Sequence, residues 1–266
     1  VVSSVDLATL VGFLIAFGAL IVSTIWESGF ATLVTMFKPT ALLLIIGGTI
    51  GATVIGYRRS DISKLPGLIK SAFIHKEQDT QDLIERIVRM AEKARREGLL
   101  ALQDDIASLD NPLLVRGVQL IVDGTDPEIV RQTMETQVEL AEERQMNAAG
   151  ALDAAGGYAP TIGIIGTVIG LVSVLSEIGD AAKLAHSISL AFLATLWGIL
   201  TANLFWLPLA SKVKQNIQHE TLIGRMCISG VSGLQTGEAP RALRDKLEVF
   251  ISEAVRRERR RGGDEE

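Results

Sequence analysis

The sequence predicts an all-α, polytopic membrane protein with four transmembrane helices and a helical cytoplasmic domain. The 266 residues have a mean hydropathy of +0.32 although hydrophobic residues make up only 48%, so the apolar residues are concentrated in blocks. Four long stretches contain no Lys, Arg, Asp or Glu, and no strand-like alternation of any length occurs. Blocks of this length favour spanning helices over the alternative, buried helices of a soluble protein.

Each apolar block is assigned to one transmembrane helix. A helix rises about 1.5 Å per residue, so about 20 residues cross a hydrocarbon core of about 30 Å. The second block is the shortest and contains Gly47, Gly48 and Gly51, which makes it the weakest of the four as a span. The blocks are residues 7–26, 39–57, 154–176 and 187–210.

The distribution of cations predicts the orientation. Segment 58–150 carries 13 Lys and Arg residues and the segment after the fourth block carries 11, so 24 of the 26 cations lie on one side of the spans. Because positive charge accumulates in cytoplasmic segments, both termini and the large loop are expected to be cytoplasmic. The predicted organisation is transmembrane helices 1 and 2 in 1–57, a cytoplasmic helical domain in 58–150, transmembrane helices 3 and 4 in 151–210, and a cytoplasmic helical tail in 211–266.

The large loop and the tail contain signals for helices. Ser60 can cap a short amphipathic helix that would lie on the membrane surface. Thr80 begins a helix that Gly98 interrupts, and its apolar residues share one face. These apolar residues are Leu83, Ile84, Ile87, Val88 and Ala91.

Prolines mark further boundaries. Asn111-Pro112 and Asp126-Pro127 are cap-then-proline helix starts, since a proline at the first helical position loses no hydrogen bond. The helix that starts at Pro127 is expected to continue without a break into the third span. Pro208 is expected to mark the inner end of the fourth span.

The third and fourth spans carry small and polar residues but no carboxylate near the middle of the bilayer. Gly163, Gly166 and Gly170 would let another helix approach closely. Taken singly, each hydroxyl is expected to bond to its own helix, whereas together they favour a polar seam that faces a partner helix. Because buried carboxylates mark ion relays, an ion-conducting complex would take that group from a partner. The polar residues are Thr161, Thr167, Ser187, Ser189, Thr195, Thr201 and Asn203.

Several segments resemble the flagellar motor stator A subunit, the MotA/PomA family. The third and fourth spans of that family are similar to YAPTIGIIGTVIGL at 158–171, AFLATLWG at 191–198 and LPLA at 207–210. Its cytoplasmic domain is similar to ARREGLLAL at 94–102 and VDG at 122–124. The glycine-rich motif is shared with the ExbB/TolQ proton-channel relatives, whereas the ARREGLL motif and the four-span layout are typical of stators.

The resemblance implies a role for particular residues of the spans. Thr195 matches a threonine that lies, in that family, near a carboxylate of a partner chain called the B subunit. Thr167 and Ala194 match positions linked to ion choice. Tyr158 is assigned to the same ion pathway. Sodium-type members carry threonine at all three matched positions. Because Ala194 lacks the hydroxyl of a threonine, this site has one oxygen fewer to replace the hydration shell of sodium. H+ is therefore favoured over Na+, although Thr167 indicates the opposite. Pro160 and Pro208 match the prolines that couple ion passage to movement of the cytoplasmic domain, although Pro208 could instead simply end the fourth span.

The resemblance also implies a contact with the rotor. Arg95 matches the arginine that contacts the FliG-like rotor switch protein, and Arg96 is assigned to the same surface. The family glutamate eight residues later is replaced here by Gln103. Either an adjacent acid, Asp104 or Asp105, substitutes for it, or this contact is weaker. A solvated helix face is the alternative interpretation of the two arginines.

The partners and location follow from the same resemblance. A homopentamer of this chain would surround two peptidoglycan-anchored, MotB-like B subunits in the bacterial inner membrane, in contact with lipid. Composition supports neither nucleic-acid binding, given a net charge of −5, nor a disulfide framework, given one cysteine. No nucleophile triad, P-loop or metal motif occurs, so neither an enzyme nor a cofactor is expected. The alternatives are an ExbB/TolQ-type energiser of an outer-membrane process and a structural scaffold without conduction.

Overall fold

A computed structural model describes residues 3–76, 80–176 and 180–251. The arginine-rich sequence RRERRR at 256–261 lies outside these residues. The fold is all-α, as predicted, apart from two three-residue strands and two short helical stretches of other types: a 3₁₀ segment, Leu99–Ser108, and a π-turn, Ala202–Trp206. The α-helices are α1 Leu7–Met36, α2 Pro39–Gly56, α3 Arg59–Ile62, α4 Leu65–Phe73, α5 Thr80–Glu97, α6 Pro112–Val122, α7 Pro127–Ser176, α8 Ala181–Thr201, α9 Leu207–Thr236 and α10 Pro240–Glu248.

Among the residues that the structure describes, four stretches of helix are long and apolar enough to cross a membrane, which confirms the predicted number of spans. They are Leu7–Met36, Pro39–Gly56, Pro127–Leu175 and Ala181–Thr236. The last two extend well beyond the apolar blocks, because the helices continue into polar sequence. In particular, α7 is one 50-residue helix with Pro160 inside it, as the absence of early helix breakers predicted.

The first span is bent at Gly29. Its backbone there has φ 79° and ψ 166°, a conformation that suits glycine. The residues before it match the predicted span, while residues 30–36 form a separate helical segment on the way to α2. Asp6 caps the helix by accepting hydrogen bonds from the backbone N–H groups of Ala8 and Thr9.

A two-stranded antiparallel sheet is one feature that the sequence did not predict. β1 (Ser3–Val5) pairs with β2 (Ile74–Lys76), so that Ser3 lies opposite Lys76 and Val5 opposite Ile74. The N–H of Asp6 donates to the carbonyl of Phe73 at 3.0 Å and extends this pairing. Segments this short carry no readable alternation, and their pairing depends on contacts distant in sequence.

The chain divides into two compact units. The span unit contains the described residues 3–76, 144–176 and 180–216, and the loop unit contains 80–143 and 217–251. Helices α7 and α9 contribute residues to both units.

The described residues of the loop unit share a hydrophobic core. The predicted apolar face of α5 is buried in it, together with residues of α6, α7, α9 and α10. Glycines allow close packing: an added Cβ at Gly230 would lie 2.9 Å from Ile87, and one at Gly117 would lie 2.7 Å from Val231. Asn111 caps α6 by accepting from Leu113 N at 3.0 Å, as the sequence predicted.

The helix of the fourth span continues past Pro208. The helix widens into the π-turn Ala202–Trp206, in which the N–H of Leu207 donates to the carbonyl of Ala202, and it continues as α9 through Pro208 to Thr236. Since proline has no N–H to donate, a shifted hydrogen-bond register just before it lets the helix continue.

Candidate functional site

Helices α7 and α8 touch along a stripe of small residues. An added Cβ at Gly198 would lie 2.6 Å from the carbonyl oxygen of Ala159, and one at Gly163 would lie 3.1 Å from the carbonyl oxygen of Ala194. An added Cβ at Gly170 would lie 2.7 Å from Ala191. The glycines expected to admit another helix therefore admit α8 of the same chain.

Two threonine hydroxyls meet at this contact. Thr167 of α7 and Thr195 of α8 are half-buried and hydrogen-bonded to each other. Thr167 Oγ1 also lies 3.1 Å from the carbonyl oxygen of Gly163, and Thr195 Oγ1 lies 3.4 Å from the same oxygen. The pair thus combines two hydroxyls and backbone carbonyls in an otherwise apolar part of the spans.

Three other polar residues of the two spans bond to their own helices. Thr161 donates to the carbonyl of Tyr158 at 2.8 Å, Thr201 to that of Trp197 at 2.8 Å, and the amide of Asn203 to that of Ile199 at 2.9 Å. Within the polar seam inferred from the sequence, the Thr167–Thr195 pair joins the two helices directly.

Ala194, next to Thr195, packs against α2 as well as against α7. Its side chain is 3% exposed and belongs to a small apolar cluster with Ile45 of α2 and Ile162 of α7. A Cβ at Gly166 would lie 2.6 Å from the Cβ of Ala194. A larger residue at this position would have to fit against α2 and α7.

Trp197 of the fourth span contacts the connection between the first two spans. Its Nε1 donates to the carbonyl oxygen of Met36 at 2.8 Å, and its ring lies 5.1 Å from that of Phe37, centroid to centroid. The mid-span tryptophan therefore packs between helices.

The predicted inner ends of the second, third and fourth spans carry a polar cluster that the sequence did not reveal. Asp153 and Lys214 form an ion pair with both side chains partly exposed. The hydroxyl of Tyr158 lies 3.6 Å from the Cβ position of Gly56, and that of Tyr57 lies 3.3 Å from the Cβ position of Gly150. The cluster therefore combines two phenol groups with one ion pair, taken from the end of α2 and from α7 and α9.

Acidic residues are scarce in the spans. In α2 and α8, and in residues 154–176 of α7, the structure describes no Asp or Glu. No group of three or more His, Cys, Asp or Glu suited to a metal ion occurs among the described residues. The site offers neutral oxygens and no fixed negative charge.

In the loop unit, the predicted rotor-contact residues are all exposed. Arg95 and Arg96 end α5, and Gln103 and Asp104 lie in the 3₁₀ segment that follows. The adjacent Asp105 is tied to Lys93 of α5 at 3.1 Å.

Asp104, the residue after Gln103, is the acid without an ion-pair partner among the described residues of this segment. Asp105, by contrast, is paired. Arg96 borders an open groove of about 380 Å³ between α5 and the 3₁₀ segment. The groove is also lined by Arg86, Arg89, Lys93 and Asp105.

Four spans, small-residue packing and paired hydroxyls without a carboxylate define a polytopic membrane protein of the ion-channel class. Family models confirm the class: residues 105–226 match the MotA/TolQ/ExbB proton channel family, and residues 10–98 match Motility protein A N-terminal. The chain belongs to the flagellar stator A subunits, the MotA/PomA family.

Individual relatives resemble the chain over most of its length. It is 38% identical to Motility protein A of Bacillus subtilis, covering 92% of this chain and 91% of that one, and 32% identical to Chemotaxis protein PomA of Vibrio alginolyticus, covering 94% and 97%. Among solved structures, it resembles the C. jejuni MotAB complex with a TM-score of 0.88 at 27% identity, covering 93% and 96%. It resembles the Bacillus subtilis flagellar MotAB stator complex with a TM-score of 0.86 at 37% identity, covering 94% and 97%.

Proposed function

We propose that this chain is a flagellar motor stator subunit that forms an ion channel with a single-span, MotB-like B subunit and converts ion flow into torque on the rotor. The observation that carries the proposal is the Thr167–Thr195 pair, which places hydroxyls in apolar stretches, 154–176 and 187–210, that hold no carboxylate. A channel built on these spans takes its titrating group from another chain. The similarity to solved MotAB complexes supports a B subunit as that chain.

The driving force comes from the membrane potential. One charge that crosses 100 mV releases about 2.3 kcal/mol. The Thr167–Thr195 hydroxyls supply hydrogen-bond partners beside the carboxylate of the B subunit. Repeated protonation of that carboxylate would then turn a ring of A subunits around it.

Two prolines provide the coupling between the ion path and the loop unit. Pro160 lies inside α7 and leaves the carbonyl of Gly156 without its helical donor, so α7 can bend there at low cost. Pro208 lies two residues after the end of the π-turn, and bends are common at such sites. Each proline lies in a helix that contributes to both units.

The rotor-contact surface consists of Arg95, Arg96, Gln103 and Asp104, which are all exposed. Asp104 takes the role of the acid missing at Gln103, because Asp105 is held by Lys93. A single exposed ion pair contributes about 0–1 kcal/mol, so the contact with a FliG-like rotor protein depends on several pairs. Replacing Arg95 with glutamate should lower torque and leave the amount of protein in the membrane unchanged.

Protons are the favoured ion. Ala194 contributes no oxygen and is packed against α2 and α7. Sodium needs several oxygens to replace its hydration shell, and the Thr167–Thr195 pair supplies few. Tyr158, at the inner end of the third span, continues this ion pathway.

The assembly is proposed to be a homopentamer in the bacterial inner membrane, with lipid around its apolar faces. α1 has no buried residue in the single chain, so its apolar surface is free for lipid or for a neighbouring copy. Both termini, the domain at 58–150 and the tail at 211–266 are placed in the cytoplasm by the cation distribution. Residues 1–57 and 151–210 form the membrane part.

Complementation tests the function directly. A strain that lacks its own stator genes receives this chain with its single-span partner, and swimming is recorded with and without sodium at fixed pH. Sodium-independent swimming is the expected result. Swimming that requires sodium would keep the stator function and overturn the ion assignment.

An ExbB/TolQ-type role is the second candidate, because the model that matches residues 105–226 covers those proteins as well. If the folded, membrane-inserted complex does not restore swimming, that role becomes the better explanation. The match of residues 10–98 to a motility-protein model favours the stator.

A further inference from the structure

One buried hydroxyl in the span unit has no partner. Thr49 of α2 is 0% exposed, and its Oγ1 is the one buried side-chain polar atom without a hydrogen bond among the residues that the structure describes. Thr53, one turn later on the same face, donates to the carbonyl of Thr49 at 2.8 Å, which is the ordinary arrangement for a threonine in a helix. Because an unbonded buried hydroxyl is costly, Thr49 marks a place for a small polar ligand.

The neighbours of Thr49 locate it between the threonine pair and the inner end of the spans. One turn before it, Ile45 packs against Ile162 and Ala194, and Ala194 precedes Thr195. At the end of α2, the Cβ position of Gly56 lies 3.6 Å from the hydroxyl of Tyr158. One helical turn advances about 5.4 Å, so Thr49 lies inward of the Ala194–Thr195 level.

Polar groups occur on both sides of this position. Outward of it lies the Thr167–Thr195 pair. Inward of it lie Tyr158 and the ion pair between Asp153 and Lys214, which is partly exposed to solvent. The unpartnered hydroxyl therefore stands between the hydroxyl pair and groups that water reaches.

We propose that Thr49 binds a water molecule, and that protons leave the Thr167–Thr195 pair through the interior of the same subunit, past this water, toward Tyr158. A hydroxyl donates one hydrogen bond and accepts others, and water does the same. The water accepts a proton on its outer side and releases another on its inner side, so it carries no net charge after each passage. The inference names a step in the proposed stator function and rests on it.

Proton uptake by vesicles tests this step. Membrane vesicles hold the chain with its single-span B subunit, a potential is imposed, and uptake is followed with a pH-sensitive dye. Thr49→Val keeps the side-chain shape and removes the hydroxyl, and it should slow uptake about tenfold, the cost of one hydrogen bond. Thr49→Ser should restore it. Thr53→Val is the matched control, since the Thr53 hydroxyl is satisfied by its own helix.

The outcomes distinguish the inference about Thr49 from the proposed stator function. If the wild-type complex and the Thr49→Val complex take up protons at the same rate, the inference is overturned and the stator function stands. A wild-type complex that takes up no protons overturns both. If Thr49→Val fails to assemble, Thr49→Cys decides the matter: a small water-soluble thiol reagent should block uptake in this variant and leave the wild type, whose Cys227 is buried, unaffected. An introduced thiol that does not react with the reagent overturns the inference.

Discussion

Replacing Gly198 with alanine tests whether the α7–α8 contact holds the threonine pair together. The added methyl would lie 2.6 Å from the carbonyl oxygen of Ala159 and 3.2 Å from the Cα of Gly163. Both neighbours are backbone atoms, which cannot rotate away as a flexible side chain would. The shorter distance is about 0.8 Å below ordinary contact at 3.4 Å, so the two helices must separate by about that amount.

The free-energy cost of this separation is the sum of three contributions. Overpacking in a close-packed interior costs about 1–3 kcal/mol. Thr195 Oγ1 lies 3.4 Å from the carbonyl oxygen of Gly163, at the limit of a hydrogen bond, and a separation would break it at a cost of about 1 kcal/mol. Alanine gains about 1 kcal/mol in helix propensity over glycine. The net destabilisation of Gly198→Ala is therefore about 1–3 kcal/mol.

Thermal unfolding of the purified chain in detergent measures this change, and swimming of the complemented strain measures its effect on function. Gly51→Ala is the control, because an added Cβ there meets no atom within 4 Å. The control should unfold at the same or a slightly higher temperature. If Gly198→Ala unfolds like the wild type and swims normally, the close approach of α7 and α8 does not limit the site.

Three further changes test other parts of the structure. Asn111→Ala should lower the free energy of unfolding by about 1 kcal/mol, because the side chain caps two backbone N–H groups of α6; chemical denaturation measures it. The hydrogen bond from Lys212 lowers the pKa of Asp6 from 3.8 to about 2, so the stability that the carboxylate contributes is present above pH 3.8 and is lost as the pH falls toward 2. Melting temperatures should therefore favour the wild type over Asp6→Asn at about pH 6 and converge near pH 2. Asp104→Asn should reduce the torque of tethered cells without changing the amount of protein in the membrane.

Each of these expectations has an outcome that contradicts it. Unchanged stability of the Asn111 variant would mean that Pro112 alone fixes the start of α6. A difference between the Asp6 variant and the wild type that persists near pH 2 would assign its effect to capping by the amide and not to the charge. Normal torque in the Asp104 variant would leave the missing family glutamate at Gln103 without a substitute.

The sequence predicted the features that depend on local pattern. The four spans follow from composition, and the start of α6 at Pro112 follows from a cap and a proline. The buried face of α5 follows from periodicity, since Ile84, Ile87 and Ala91 repeat at helical spacing. These signals are contained within one or two turns of chain, so they need no knowledge of the partner helix.

The features that the sequence did not predict depend on residues distant in the chain. Asp153 and Lys214 are 61 positions apart, and only their helices bring them together. Thr49 is one hydroxyl among many in the sequence, and it stands out only when its burial and its missing partner are known. The resemblance identified Thr167 and Thr195 as functional positions, but their mutual hydrogen bond required the fold. Their roles in ion passage remain predictions.

The π-turn Ala202–Trp206 has a consequence for insertions and deletions. A π-turn is how an α-helix accommodates one surplus residue without turning the flanking faces out of register. Each residue of an α-helix turns the chain by about 100°, so a one-residue deletion early in α9 would swing Lys214 away from Asp153. The same deletion inside the π-turn would leave that orientation intact and would remove the wide turn that accommodates Pro208. We therefore expect a one-residue change in length to alter the Lys214–Asp153 orientation less at this point than elsewhere early in α9.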